Sequence, residues 1–190
     1  MLIAAAQDTE GEAVAREWYD RAEATYVTLV DEKHTVSSLF NLVNVPSAVW
    51  IDETGKVVRV DEGAYAGVHN MGGFEFGRTD YVPMVRDWAE KGDASPYITG
   101  NVLPDLSRTD AQALAETNFK LGIYFYQQGD MAKADKYWTA AQKLNPGSWN
   151  YHRQDWSFTP AEAGANWSRK VQELNGKAYY RPIEKLDTKD

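Results

Sequence analysis

The run Phe40-Asn-Leu-Val-Asn-Val-Pro-Ser-Ala-Val-Trp-Ile-Asp-Glu-Thr-Gly-Lys-Val-Val-Arg59 carries the clearest order in the chain. Pro46 lacks a backbone donor, so the helical pattern before it must stop there. Ser47 to Asp52 is apolar and β-branched enough for a strand. Thr54-Gly55 marks a tight turn. Lys56 to Asp61 is the return strand. Its Val58 and Val60 alternate with Arg59 and Asp61, a period of two that predicts one face in the core and one in solvent. Asp52 and Glu53 could pair as acid and base, but acids are ordinary turn residues, and the turn role is the stronger reading.

Upstream, Leu2 to Ala6 is a short apolar run with the length of a buried strand. Thr9-x-x-Glu12 fits a capping box, and the helix it opens runs to about Ala24. Ala13, Val14, Trp18 and Ala22 share one face of it. Thr25 to Val30 is a second strand by propensity. Asp31-Glu32-Lys33-His34 reads as a helix-capping turn rather than a polar site. A helix from His34 or Thr35 turns Val36, Leu39, Phe40 and Val43 inward. Downstream, Gly67, Gly72, Gly73 and Gly77 read as a loop. The loop lacks the strand-turn-helix setting and the lysine of a phosphate cradle. Thr79 or Asp80 caps a last helix with Val82, Val85 and Trp88 inside. The order is β-α-β-α-β-β-α.

Residues 40–59 resemble thioredoxin-like proteins of the membrane-anchored redox type, the TlpA and ResA group. There too a helix leads to Val-Pro-x, a strand ending Ile-Asp, a glycine turn and a partner strand. The resemblance covers roughly the first half of the chain. It implies that Asn44-Val45-Pro46 forms a cis-proline motif. It also implies that the backbone before Pro46 is one wall of a groove for an extended substrate. A trans proline opening a strand is the alternative at this position.

The same resemblance exposes a departure. Such proteins begin with a central strand and a Cys-x-x-Cys helix, whose N-terminus favours the thiolate. Leu2–Ala6 matches the strand after that helix, and the chain contains no cysteine. The expected fold is therefore an incomplete α/β thioredoxin-like half, without its first strands and redox helix. Three explanations are open: a fragment or mis-started reading frame, an upstream selenocysteine codon read as a stop, or true loss of the motif. The first two amount to truncation, the preferred explanation. The third leaves an unpaired central edge and predicts a homodimer completing the sheet, or a rebuilt sheet.

Residues 115–148 resemble one tetratricopeptide repeat (TPR), a helical hairpin of about 34 residues. Leu121-Gly122, Phe125, Gly129, Ala134, Trp138, Ala141 and Pro146 fall at the expected steps, while Asn118 stands where a large residue is usual. Gly122 and Ala134 let two helices approach, and Phe125 and Trp138 fill the seam. Helix A starts near Thr109-Asp110. Pro160 to Leu174 offers a capping helix with Ala163, Trp167, Val171 and Leu174 in step. The expected organisation is thus a partial thioredoxin-like domain over 1–95, a linker over 96–108, and an all-α TPR-like half over 109–190. Charge changes at that join. Residues 1–95 hold 17 Asp/Glu against 8 Lys/Arg, a net of −9, and residues 96–190 hold 11 against 12, a net of +1.

Composition excludes several functions. The chain has 190 residues, a net charge of −8 and three histidines. Without cysteine there is no disulfide, thiolate metal site or cysteine catalysis within it. The acidic balance argues against nucleic acid. No apolar run reaches membrane-span length, and the N-terminal residues do not form a signal peptide. Relatives of the redox type often work outside the cytoplasm, so location stays open. No metal, organic cofactor or catalytic residue is indicated.

Two segments concentrate site-type residues. Ser148 to Phe158 reads as a non-repetitive loop in which Trp149, His152, Arg153, Asp155 and Trp156 form a candidate binding cluster; a connector plugged by its aromatics is the stronger alternative. Tyr179-Tyr180-Arg181-Pro182 is either a recognition patch or a tail packed on the body. Two functions follow. One is a thioredoxin-like member of the thiol-disulfide oxidoreductase superfamily, redox-inactive as this cysteine-free chain. The other is a non-enzymatic module that holds a protein or peptide partner with its TPR-like helices and the 148–158 segment.

Overall fold

A computed structural model describes residues 1–71, 74–98, 103–183 and 186. It is mixed α/β. The helices are α1 (Glu12–Arg21), α2 (Thr35–Phe40), α3 (Tyr81–Lys91), α4 (Asp110–Gln127), α5 (Met131–Leu144), α6 (Trp149–Ser157) and α7 (Pro160–Gln172). The strands are β1 (Ile3–Ala6), β2 (Val27–Val30), β3 (Ser47–Ile51), β4 (Val57–Glu62), β5 (Val68–Met71) and β6 (Phe74–Gly77). They form three separate pairs: β1 with β2 parallel, β3 with β4 antiparallel, and β5 with β6 antiparallel. Among the described residues β1 and β3 are each hydrogen-bonded along one edge only.

The chain divides into two compact units, Met1–Val43 with Leu106–Ser168, and Asn44–Asp105 with Arg169–Asp190. The chain crosses between the units at 43/44, 105/106 and 168/169; the second crossing lies within the join expected at 96–108, and the other two were not expected. Local bonding explains this. In the first unit the amides of Trp149 and Asn150 both reach the Val43 carbonyl, at 2.7 and 3.1 Å, and Asn150 Nδ2 donates to Leu42 O at 2.7 Å. The β1–α1–β2–α2 segment therefore shares a unit with the helices of the second half.

The first unit is built on the α4–α5 hairpin. Thr109 forms a complete capping box with Gln112, and Asp130 Oδ1 accepts the Lys133 amide at 3.1 Å to cap α5. Gly129, at φ 76°, makes the turn between the two helices. The core is Ala115, Phe119, Ile123, Ala134, Trp138, Ala141 and Tyr151. A Cβ on Gly122 would lie 2.3 Å from the Trp138 ring, so only glycine lets the indole lie flat there. On the sheet side, Tyr19 of α1 brings its hydroxyl within 3.1 Å of Ala4 O and 2.9 Å of Leu29 O.

Other expectations fail here. Thr9 does not cap α1; Gly11 stands at that helix's N-cap with φ 76° and no side-chain cap bond. The stripe Ala13, Val14 and Trp18 does not face inward. Ala15 is the buried residue of α1, and Trp18 is 64% exposed. Leu39, expected inside α2, is 73% exposed.

The second unit packs Trp50, Tyr81, Met84 and Ile183 into a core, with Val85 and Trp88 against it. The helix α3 thus buries a face that begins one position earlier than expected. Arg59 and Asp61 are not solvent-facing; they are 2% and 5% exposed. The glycine-rich loop is instead the β5–β6 hairpin, paired from Val68↔Gly77 to Met71↔Phe74. Its Gly72 and Gly73 lie outside the described residues, as does Gly100 of the expected linker.

Candidate functional site

Asn44-Val45-Pro46 opens the second unit and leads directly into β3. Asn41 closes α2 in the left-handed conformation at φ 48°. Three residues on, Asn44 is buried at 1% exposure and organises its surroundings through three polar atoms. Its Oδ1 accepts the Val45 amide at 2.9 Å, its carbonyl accepts Ser47 Oγ at 2.7 Å, and its Nδ2 donates to the Tyr179 carbonyl at 3.3 Å. The Val45–Pro46 peptide is cis. The Pro46 carbonyl accepts the amides of Gly63 and Ala64, at 2.8 and 3.3 Å, just past the end of β4.

The Val45 carbonyl has a different partner. It accepts the Tyr180 hydroxyl at 2.9 Å, and that hydroxyl also lies 2.9 Å from the Tyr65 hydroxyl. The Tyr180 ring sits over Gly63, where an added Cβ would meet it at 3.0 Å. Arg181 N donates to Glu62 Oε2 at 3.2 Å, and Arg181 Nη2 to Val60 O at 3.3 Å. Tyr179-Tyr180-Arg181 is therefore packed along this edge, as a packed tail would be.

Behind the edge lies a buried polar chain. Trp50 Nε1 donates to Tyr81 OH, which donates to Asp61 Oδ2, both at 3.0 Å. Arg59 Nε meets both Asp61 oxygens at 3.0 and 2.8 Å, and its Nη1 donates to Tyr97 O at 2.8 Å. Burial, then the Asp61 charge, pushes the Tyr81 phenol far above its ordinary range. Each group here serves another side chain or the backbone, which makes the chain a brace for β3 and β4.

The 148–158 cluster is not a loop. Trp149 to Ser157 is the helix α6. Trp149 is buried, and His152, Arg153, Asp155 and Trp156 are half-buried. Asp155 Oδ2 accepts Gln142 Nε2 at 3.0 Å, and the His152 ring packs on Trp156 with centroids 5.5 Å apart. These residues are brought together by one helix.

Sequence reasoning gave no role to the pairing of Gln154 and His34. Gln154 Oε1 accepts the Thr9 amide at 2.8 Å and lies 2.7 Å from His34 Nε2. Thr9 Oγ1 is 3.3 Å from the same ring nitrogen. No periodicity announces such a tie, because its three members come from two loops and a helix. The turn at 31–34 does cap its helix: Asp31 accepts the amides of Thr35 and Val36 at 2.8 and 2.7 Å. Asp52 closes its turn through Thr54 Oγ1 at 2.6 Å and the Lys56 amide at 2.9 Å. These bonds, led by the Thr54 hydroxyl, hold its carboxyl below the usual range.

Among the described residues no three His, Asp or Glu side chains gather as a metal site, and no helix is long and apolar enough to cross a membrane. No protein-family model matches the chain, and neither a curated protein nor a solved structure does.

Proposed function

We propose that the chain is a thioredoxin-like, redox-silent protein that binds extended polypeptide at the Asn44-Val45-Pro46 edge. The observation that supports this reading is the state of the Val45 carbonyl. It lies two residues before β3, which among the described residues pairs with β4 alone, and it accepts a side-chain hydroxyl. A main-chain amide of an extended peptide is a direct replacement for that hydroxyl, which is how strand addition works at sheet edges. The order β1-α1-β2-α2-β3-β4, followed after the β5–β6 hairpin by α3, supports the thioredoxin-like part of the reading. Thiol chemistry is outside the reach of this chain, since it has no cysteine. The purified protein is expected to leave insulin disulfides intact.

The test is titration of the ¹⁵N-labelled chain with carboxymethylated insulin B chain, an extended, thiol-blocked polypeptide. The expected result is shifts in the amides of Val45, Ser47, Gly63 and Ala64. Shifts confined to α4 and α5 favour the alternative, a TPR-like module. One observation supports that second reading: Leu114, Leu121 and Tyr124 of α4 are 53%, 37% and 54% exposed, close to one face of the helix.

A further inference from the structure

Residues Lys177 to Ile183 follow α7 without regular secondary structure, yet they are held at six points. Asn44 Nδ2 grips the Tyr179 carbonyl, and Tyr180 OH reaches Val45 O and Tyr65 OH. Arg181 uses its amide on Glu62 and its guanidinium on Val60 O. Three residues beyond Tyr180, Ile183 is 4% exposed in the core of Trp50, Tyr81 and Met84.

We infer that this strap is an intramolecular ligand of the Val45 edge, and that the site takes extended segments of the form Tyr-x-x-Ile or Tyr-x-x-Leu. The inference rests on the reading of that edge as a peptide site and adds its specificity and its resident competitor. The chemistry has three parts. A phenol hydroxyl donates to the Val45 carbonyl and accepts from the Tyr65 hydroxyl. A main-chain carbonyl one residue earlier receives the Asn44 amide. An apolar side chain three residues later fills the pocket of Trp50, Tyr81 and Met84.

Gly63 makes room for the phenol ring. A Cβ there would meet Tyr180 Cδ2 at 3.0 Å and Cγ at 3.1 Å. The bonds at Val45 and Tyr65 come from side chains. An incoming strand therefore displaces the strap without breaking any pairing inside β3 or β4. Because the strap is tethered, it competes at an effective concentration in the millimolar range, so a free peptide of equal intrinsic affinity binds the intact protein weakly.

The experiment titrates the synthetic peptide Lys-Ala-Tyr-Tyr-Arg-Pro-Ile, which copies residues 177–183, into the full chain and into its Tyr180→Ala and Tyr180→Phe variants. Amide shifts of Val45, Ser47 and Gly63 are the readout. The expected result is a Kd at least tenfold lower for Tyr180→Ala than for wild type. Tyr180→Phe, which loses only the hydroxyl, falls between them with a gain of about threefold. If Tyr180→Ala loses amide dispersion and does not fold, the comparison of Tyr180→Phe with wild type decides. Binding at those amides that is equal in all chains overturns the strap as competitor and leaves the peptide edge standing. No shift at those amides in any chain overturns the edge reading, and the strap's role with it.

Discussion

The imidazole of His34 and the side-chain amide of Gln154 meet at 2.7 Å, although 120 residues separate them. The Thr9 amide donates to the same Gln154 oxygen, which identifies that atom as an acceptor and puts the imidazole proton on Nε2. His34 Nδ1 is then the unprotonated nitrogen, buried without a hydrogen-bond partner. The ring stands edge-on to Phe119 at 4.9 Å between centroids.

This pair makes stability depend on pH. Burial pushes His34 down to about 4, and the Lys120 cation adds to that, against the opposing Gln154 bond and the Asp31 and Asp8 charges. The folded protein thus holds His34 neutral, while the unfolded chain protonates it near the ordinary 6.5. The unfolded state binds more protons between those values. His34's contribution is therefore complete above about pH 6.5 and is lost as pH falls toward 4, amounting to about 3 kcal/mol. Urea unfolding of wild type and His34→Gln at pH 7 and pH 4.5 checks this. The gap between the two chains shrinks or reverses at the lower pH. A gap independent of pH rejects a neutral buried His34.

How far the sequence was legible depends on what each residue's signal refers to. Leu121-Gly122, Phe125, Gly129, Ala134, Trp138 and Ala141 are placed by their spacing alone, and the helices α4 and α5 follow it, because local spacing determines which side chains face each other across a hairpin. The turn at Asp52–Lys56 is equally local. Thr9 and Thr109 show where this stops. Both precede a Glu or Gln by three residues, yet only Thr109 caps its helix. Thr9 directs its amide to Gln154 instead, a partner no local pattern names. Trp18 fails for a related reason: helical period identifies an apolar face but not what lies against it. Arg59 and Asp61 alternate as a solvent face would, but each removes the other's need for water. The Val45 edge was legible as a motif, whereas its cover by Tyr180 joins residues 135 apart.

Gly122 and Trp138 define a contact with no spare volume. Trp138 is 1% exposed, and a methyl on Gly122 would overlap its indole at 2.3 Å. Gly122→Ala forces the indole or the helix backbone to move and is expected to cost about 3 kcal/mol. Chemical denaturation measures this. The double variant Gly122→Ala with Trp138→Phe recovers part of the loss, because the smaller ring makes room. A double variant whose loss is the plain sum of the singles shows the two sites to be uncoupled.

At the start of α4, Thr109 Oγ1 accepts the Gln112 amide at 3.3 Å and Gln112 Oε1 accepts the Thr109 amide at 2.9 Å. Thr109→Ala removes half of this box and is expected to lower stability by about 1 kcal/mol. Thr109→Asn restores most of it, since asparagine also presents an oxygen acceptor. Unfolding midpoints of the three chains decide; an alanine variant as stable as wild type means the cap contributes nothing.

The Arg59–Asp61 pair predicts an asymmetry between single and double variants. With 2% and 5% exposure, neither charge has water, and the pair's mutual 2.8 Å contact replaces it. Asp61→Leu takes the Asp61 carboxylate away from a buried guanidinium that also contacts Tyr97 O and the Trp50 ring, whose centroid is 5.5 Å away. It also removes the acceptor of the Tyr81 hydroxyl. A buried charge stripped of its partner costs about 3–5 kcal/mol. Replacing both residues with leucine removes the buried cation along with its carboxylate, so Arg59→Leu with Asp61→Leu is expected to be more stable than Asp61→Leu alone. Urea unfolding at pH 7 ranks the three chains. If the double variant is the least stable of them, Arg59 stabilises β4 through its own contacts with Tyr97 and Trp50 and not by neutralising Asp61.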